Sequence, residues 1–301
     1  RSGRYMDNTV LTMDIGGSSI KYGICNLQGE FLDKGSVKTP LRSLEDLVKV
    51  IKEIHKNYED VIGIAISMPG VIDVIKGIAI TGGALTYIDN TPLAEIISKE
   101  IKKKVVIAND GKCAALAELG FGNLKGIKNG VAMILGTGVG GGIVINGELL
   151  NGSNFSAGEF SYVNTNIEQV SNIDYSMACQ LGIRGVSKAV EETSNLKDLS
   201  GIDIFKLIKE GNKDVERGFK NYCRKLASNI YNIMYILDPE RFVIGGGISA
   251  EPLLFTYLEE ALDDLYNEFS IKLRKPEIMP CKHRNDANLI GALYNFLNIK
   301  I

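Results

Sequence analysis

The stretch Val131–Gly142, VAMILGTGVGGG, decides how this chain is read, together with the IVIN segment, Ile143–Asn146, that follows it. An apolar, β-rich run opens into glycines interrupted by Thr137. Glycine lets backbone N–H groups approach a ligand closely and converge on an anion. Gly136, Gly138 and Gly141 also satisfy the spacing G-x-G-x-x-G, which signals dinucleotide binding only where the last glycine opens a helix. Here the chain continues through IVIN into an Asn-Gly turn and further chain, the pattern of a strand and a tight turn. A strand, a glycine loop and a second strand predict a phosphate-gripping hairpin, not a Rossmann turn.

The whole chain sets the bounds. At 301 residues it can build one large or two ordinary domains with buried cores. Its 45% hydrophobic and 23% charged content is that of a soluble globular protein. A formal charge of −2 gives no electrostatic case for nucleic acid, although lysines and backbone amides can still hold a small acidic ligand. The five cysteines are scattered without a C-x-x-C pair, and there are two histidines, so buried reduced thiols are expected and no zinc site. Neither an 18-residue apolar run nor a signal peptide is present, which predicts a cytoplasmic protein without membrane partners. Arg1–Tyr5, RSGRY, precedes Met6 and reads as a cloning remnant.

Outward from the glycine stretch, a similar arrangement stands at the start of the chain. Val10–Ile15 reads as a strand ending in Asp14, then Gly16, Gly17, Ser18 and Ser19 turn it into the strand Ile20–Cys25, with Glu30–Lys38 a third. An ordinary hairpin has this pattern too. A carboxylate beside a Gly-Gly-Ser-Ser turn, however, suits Mg²⁺ and phosphate. Ser43–Tyr58 has helical spacing, with His55 structural, and Val61–Ser67 is a strand closed by the turn Met68-Pro69-Gly70. Val71–Thr81 suggests a hairpin, Gly82–Asn90 a polar loop, and Thr91 an N-cap for the helix Leu93–Ile101. The strand Val105–Ala108 ends in Asn109-Asp110 before the helix Gly111–Gly120. Asp110 could simply cap that helix, or it could serve chemistry at a strand's carboxyl end, where open α/β sheets place ligands.

Beyond the opening stretch, Ser156–Val163 presents Glu159 in a loop of small residues. Glu168–Lys213 reads as mostly helical with breaks at Gly182, Gly185 and Gly201, and Val215–Leu237 as a long amphipathic helix. Arg241–Ile244 is a strand leading into Gly245-Gly246-Gly247, followed by a helix near Pro252–Phe269, a short strand at Ile278–Cys281 and a helix at Asp286–Leu297. Three leading strands and then β/α alternation therefore occur twice, without a repeat of residues. Two such glycine hairpins could grip a polyphosphate, with Gly245–Gly247 a third glycine surface for base or ribose. Three glycine sites favour a nucleoside triphosphate over a dinucleotide.

The motifs DIGGSSIKYGICNLQGE, ISMPG, ANDGKCAALAE, LGTGVGGGIVINGELLNG, AGEF and LDPERFVIGGGIS stand in the order seen in the ROK family of sugar kinases and repressors, which this chain resembles from Val10 onward. The resemblance implies a two-domain α/β fold, the actin-like and hexokinase-like ATPase (RNase H-like) fold, with mixed sheets and a central cleft. It implies a small domain of residues 6–115 plus 285–301 and a larger one of 116–284. By the same resemblance ATP is held by Asp14, Gly16, Gly17, Ser18, Ser19 and Lys21, by Gly136, Thr137, Gly138 and Gly140, and by Gly245, Gly246 and Gly247. Asp14 would hold Mg²⁺ through water. Asp110 would be the catalytic base, and Asn109, Glu159, Gly70 and Tyr162 would bind the sugar. A homodimer is expected.

Departures from the family pattern bear on the substrate. Tyr162 stands where the family's A-G-E-x-G-H motif has its His, the zinc-binding cysteine cluster is missing between Val163 and Gly201, and Ala84 replaces an Asn common in the preceding sugar loop. Zinc-free relatives of this type resemble β-glucoside kinases and some N-acetylmannosamine kinases. The expected activity is therefore ATP-dependent phosphorylation of a hexose hydroxyl, the 6-hydroxyl of glucose or a β-glucoside. The alternatives are an N-acetylmannosamine kinase and a sugar-responsive regulator. A DNA-binding repressor would carry a helix-turn-helix ahead of the D-I-G-G motif, where only 13 residues stand. A Rossmann oxidoreductase would need a helix after Gly141, with Glu159 as its acidic partner.

Overall fold

The computed structural model describes residues 8–299; Arg1–Tyr5 and the outermost residues of the expected small domain lie outside that range. The chain forms two compact units. One takes in the described residues of Arg1–Lys125, Leu149–Ala157 and Asn285–Ile301, and the other Gly126–Glu148 and Gly158–Arg284.

In the first unit β1 (Thr9–Ile15), β2 (Ser19–Asn26) and β3 (Phe31–Lys38) lead into α1 (Leu44–His55) and β4 (Gly63–Met68). The small hairpin β5 (Ile72–Asp73) and β6 (Ile78–Ala79) follows, then α2 (Leu93–Ile101), β7 (Lys104–Asn109) and α3 (Asp110–Phe121). The five-stranded sheet has the order β3-β2-β1-β4-β7. Its β1–β2 and β2–β3 pairs are antiparallel, whereas β1, β4 and β7 run parallel. Every residue of β4 is buried, as befits a central parallel strand covered on both faces.

In the second unit β8 (Gly130–Leu135), β9 (Val139–Ile145) and β10 (Glu148–Leu149) come first. The helices α4 (Met177–Leu181), α5 (Ile183–Ser194), α6 (Gly201–Lys209) and α7 (Lys213–Leu237) follow, then β11 (Arg241–Gly245), α8 (Pro252–Asn267) and β12 (Glu277–Pro280). The sheet order is β10-β9-β8-β11-β12, with β8–β9 antiparallel and β8, β11 and β12 parallel. Each unit thus strings its strands in one order, and the result is a mixed sheet in both. The last helix, α9 (Ala287–Asn298), belongs to the first unit and packs on α3 so closely that a Cβ at Gly291 would strike the backbone of Cys113. Small residues along α3, among them Ala114, Ala115 and Ala117, are buried.

Most elements fall where periodicity puts them, and the Asn146-Gly147 turn takes left-handed angles, φ 53° and 78°, that join β9 to β10. Three local expectations fail for identifiable reasons. Thr91 does not cap α2, because its backbone is engaged in a bridge with Ala79, and Pro92 precedes the helix without a side-chain cap. Glu168–Asn172 is not helical, and Ile173–Tyr175 makes only a short 3₁₀ turn. There Asn164, Asn166 and Asn172 take N–H groups at positions 166, 168 and 174 on their side chains, which bends the chain into turns. Gly185 does not interrupt α5; it lies within the helix's first turn.

Candidate active site

The carboxyl ends of β1, β4 and β7 lie side by side, because Asp14 pairs in register with Ser67 and Met68 with Asn109. Asp14, the last polar residue of β1, accepts hydrogen bonds on Oδ1 from Ser67 Oγ at 3.0 Å and from Asn288 Nδ2 at 3.1 Å. Burial raises its pKa; those two bonds and the Lys21 charge oppose the shift and do not overcome it. Lys21 lies directly across the hairpin on β2. In the turn, Gly16 N–H donates to Ser19 O at 3.0 Å, and Thr39 closes on it through Oγ1 to Gly16 O at 2.6 Å and N–H to Ser18 O at 3.1 Å. Gly17 and Ser18 remain exposed at its tip.

One strand away, the start of α3 separates two roles. Asn109 is the N-cap: its Oδ1 accepts the Lys112 N–H at 3.0 Å, while its Nδ2 donates to Gly70 O at 2.9 Å. The cap leaves Asp110 as the first helical residue, its Oδ1 accepting the adjacent Gly111 N–H at 2.7 Å. The alternative of Asp110 as a simple cap is thereby set aside. Burial raises the Asp110 pKa; the Gly111 hydrogen bond pulls it down, and the nearby negative charge of Asp14 pushes it up again. Gly70 takes φ 100°, and its missing side chain makes room for the Thr81 carbonyl. Lys112, 2% exposed, donates from Nζ to the Phe155 carbonyl and so holds Leu149–Ala157 against the base of α3.

In the second unit two glycine sites meet at the ends of parallel strands, since Ile134 of β8 registers with Gly245 of β11. The β8–β9 loop closes with Gly136 N–H to Gly138 O at 2.9 Å, leaving Gly136 and Thr137 exposed. The glycines of the second site do different things. Gly245 is packed against Ile134 and Cys281, Gly246 turns the chain at φ 92° under the Leu135 carbonyl, and Gly247 is open. Gly136, Thr137 and Gly247 border a cavity of about 1000 Å³ within this unit, walled by Ile183, Ile202, Phe205 and Ile248, with Lys206 and Lys209 at α6. An apolar slot beside a glycine loop suits a flat base joined to an anion.

The Glu159 turn packs on the same hairpin. Phe160–Tyr162 is a short 3₁₀ turn whose Phe160 is buried against β9. Ser161 Oγ accepts the Val139 N–H at 2.9 Å and lies 3.1 Å from the Val139 carbonyl, to which it donates. Tyr162 is 84% exposed. Gly140 lies within β9. Sequence reasoning passed over Ser67, Asn288 and Ser161. Ser67 was recoverable from its place at the end of a strand parallel to β1, but Asn288 stands 274 residues from Asp14 and carries no local signal.

The sequence profile of the ROK family matches residues 10–298. A beta-glucoside kinase of Listeria monocytogenes is 30% identical over 291 residues, covering 96% of this chain and 97% of its own. An N-acetyl-D-glucosamine kinase of Vibrio cholerae is 27% identical, covering 95% and 98%. The solved structure of a ROK family protein from Streptococcus pneumoniae in complex with sucrose is 32% identical, covers 96% of this chain and 98% of its own, and matches with a TM-score of 0.86. The architecture is the hexokinase-like, actin-like ATPase fold of these proteins. Motif order, strand order and the span of the likeness agree: the chain belongs to the ROK family, among its sugar kinases.

Proposed function

We propose that this ROK-family sugar kinase transfers the γ-phosphoryl group of ATP to the 6-hydroxyl of glucose or of a β-glucoside, with Asp110 as general base. The observation that carries the reading is the state of Asp110: released from capping by Asn109, partly buried at a strand's carboxyl end, and with a raised pKa. A carboxylate made more basic by burial is a better acceptor for a hydroxyl proton, provided it stays ionised at the working pH. In this reading Asn109 and Glu159 hydrogen-bond sugar hydroxyls, with Gly70 and Tyr162 completing the sugar's surroundings. Asn109 keeps one N–H and one lone pair beyond its two structural bonds for that purpose.

The exposed tip Gly17-Ser18 with Ser19 and Lys21, and the exposed Gly136-Thr137 with Gly138 and Gly140, would hold phosphate oxygens. The cavity bordered by Gly247 would take the adenosine. Phosphoryl transfer depends mainly on positioning and charge neutralisation, which is what these groups offer. Asp14 fits Mg²⁺ through water: both of its side-chain hydrogen bonds fall on Oδ1, so Oδ2 is available as a hard oxygen donor. Mg²⁺, when bound, offsets phosphate charge.

The span of the likeness to a beta-glucoside kinase supports the sugar class. No helix among the described residues is long and apolar enough to cross a membrane. With the resemblance to the family, we extend the reading to a cytoplasmic homodimer without a nucleic-acid partner. A coupled ADP-release assay with Mg-ATP over glucose, cellobiose, gentiobiose, N-acetylglucosamine and N-acetylmannosamine tests the proposal. Turnover on glucose or a β-glucoside is expected, and turnover on N-acetylmannosamine alone would reassign the substrate. Asp110→Asn should lower kcat by roughly 10²–10⁴-fold with an unchanged circular dichroism spectrum. Near-normal turnover by that variant removes Asp110 as the base.

A further inference from the structure

One hydroxyl in the second unit serves both backbone groups of a single residue. Val139 opens β9, directly after Thr137-Gly138, and Ser161 Oγ both accepts its N–H at 2.9 Å and donates to its carbonyl. The neighbour of β9 on its outer side, β10, is only two residues long, so the hydroxyl does for Val139 what a further strand would do. The fit around this contact is close. A Cβ at Gly138 would come within 2.7 Å of Ser161 Oγ, one at Gly141 within 3.2 Å of the Phe160 ring, and one at Gly158 within 3.1 Å of Gly142. Three glycines thus admit the Glu159–Tyr162 turn against the hairpin, and Ser161 fastens it there. Along the chain Ser161 is two residues from Glu159, and Val139 is two residues from Thr137.

We infer that Ser161 is a positioning residue that couples the two substrates: its hydroxyl fixes the Thr137–Val139 segment to the turn bearing Glu159, so that occupancy on the sugar side steadies the phosphate side. The inference rests on the kinase reading of Thr137 and Glu159. Coupling of this kind is reciprocal, and sugar must then strengthen nucleotide binding by the factor by which nucleotide strengthens sugar binding. A residue that merely held the fold together would change stability without changing that factor.

The test is calorimetric titration with Mg-AMP-PNP, in the absence and presence of the panel sugar with the highest turnover. The wild type should bind the nucleotide about 5–10-fold more tightly with sugar present, within the usual range of coupling between sites. Ser161→Ala should bring that ratio to about 1, which is the absence of coupling, and speed amide exchange at Val139. The pair Ser161→Thr and Ser161→Val, alike in volume, separates the hydroxyl from packing and guards against a misfolded alanine variant. Thr should keep the coupling and Val should lose it. A wild-type protein without coupling, or hydroxyl-free variants that retain it, overturn the inference alone. A wild type that binds no Mg-AMP-PNP and turns over no sugar sinks the kinase reading, and this inference with it.

Discussion

At the N-terminus of α3 the cost of keeping a carboxylate for chemistry can be read from its neighbours. Helix dipole and the Gly111 N–H favour the Asp110 anion, yet burial and the charge of Asp14 prevail and raise its pKa above the ordinary 3.8. The folded state therefore holds this proton more tightly than the unfolded chain. The resulting destabilisation is present at neutral pH and disappears as pH falls through the raised pKa. Asp110→Asn should accordingly melt a few degrees above the wild type at pH 7 while losing turnover, and scanning calorimetry should find the gap narrowing toward pH 4. An equal or lower melting temperature at pH 7 would contradict this. His55 shows the opposite sense. It is buried at the end of α1 with Nε2 unpartnered, and burial lowers its pKa from 6.5. Below pH 6.5 the unfolded chain takes up a proton that the folded state resists, so stability falls with acidification until the folded pKa is passed. The Lys103 charge adds to that depression of the pKa and Glu59 opposes it. In urea titrations His55→Leu should lose less stability than the wild type between pH 7.5 and 5.5. Neither effect was legible beforehand: composition announces an Asp and a His, but burial depth comes only from packing.

The β8–β9 hairpin shows that glycines in one run answer to different neighbours. Gly136 has nothing within 4 Å of an added Cβ, whereas Gly141 sits at φ 146° with the Ala132 carbonyl and the Phe160 ring in the way. Gly141→Ala should therefore destabilise the fold by about 1–3 kcal/mol, seen as a lower urea midpoint. Gly136→Ala should leave that midpoint unchanged and raise the KM for ATP about tenfold, equivalent to ~1.4 kcal/mol of lost binding. If both variants lose stability alike, the division between packing and ligand approach is wrong. The hairpin itself was legible because the Asn146-Gly147 turn, which joins β9 to β10, marks the run after the glycines as a strand and not a helix. The packing of the Glu159 turn on its glycines was not, since nothing in a glycine says whether a ligand or a phenylalanine will occupy the space. The failed helix at Glu168–Asn172 has a related cause: asparagine side chains competed locally with the backbone for N–H groups and won.

Over the whole molecule, neither unit is a continuous piece of chain. The first borrows Leu149–Ala157 and α9, and both are tied to α3: Phe155 through the Lys112 ammonium, and Gly291 through backbone contact at Cys113. Leu293 and Phe296 of α9 belong to its buried core. A fragment ending at Lys125 would leave a buried cation without its carbonyl and that core uncovered, so it should show no cooperative thermal transition. Restoring only α9 by fusion should recover helix but not wild-type stability; a cooperative transition in the bare fragment would refute the argument. The doubled strand order was visible because hydrophobic runs fix where strands fall. The borrowed segment was not, because what holds it, a lysine bond to the Phe155 carbonyl and the packing of the Phe155 ring on the core, has no local signal. The Glu159 turn has a longer-term consequence. Its inner residues are pinned, Phe160 by the core and Ser161 by Val139, while Tyr162 stands in solvent. The family's A-G-E-x-G-H pattern has glycine where this chain has Ser161, so the buried Phe160 can seat the turn in either case, while the fastening of Val139 is gained or lost in a lineage by one residue change.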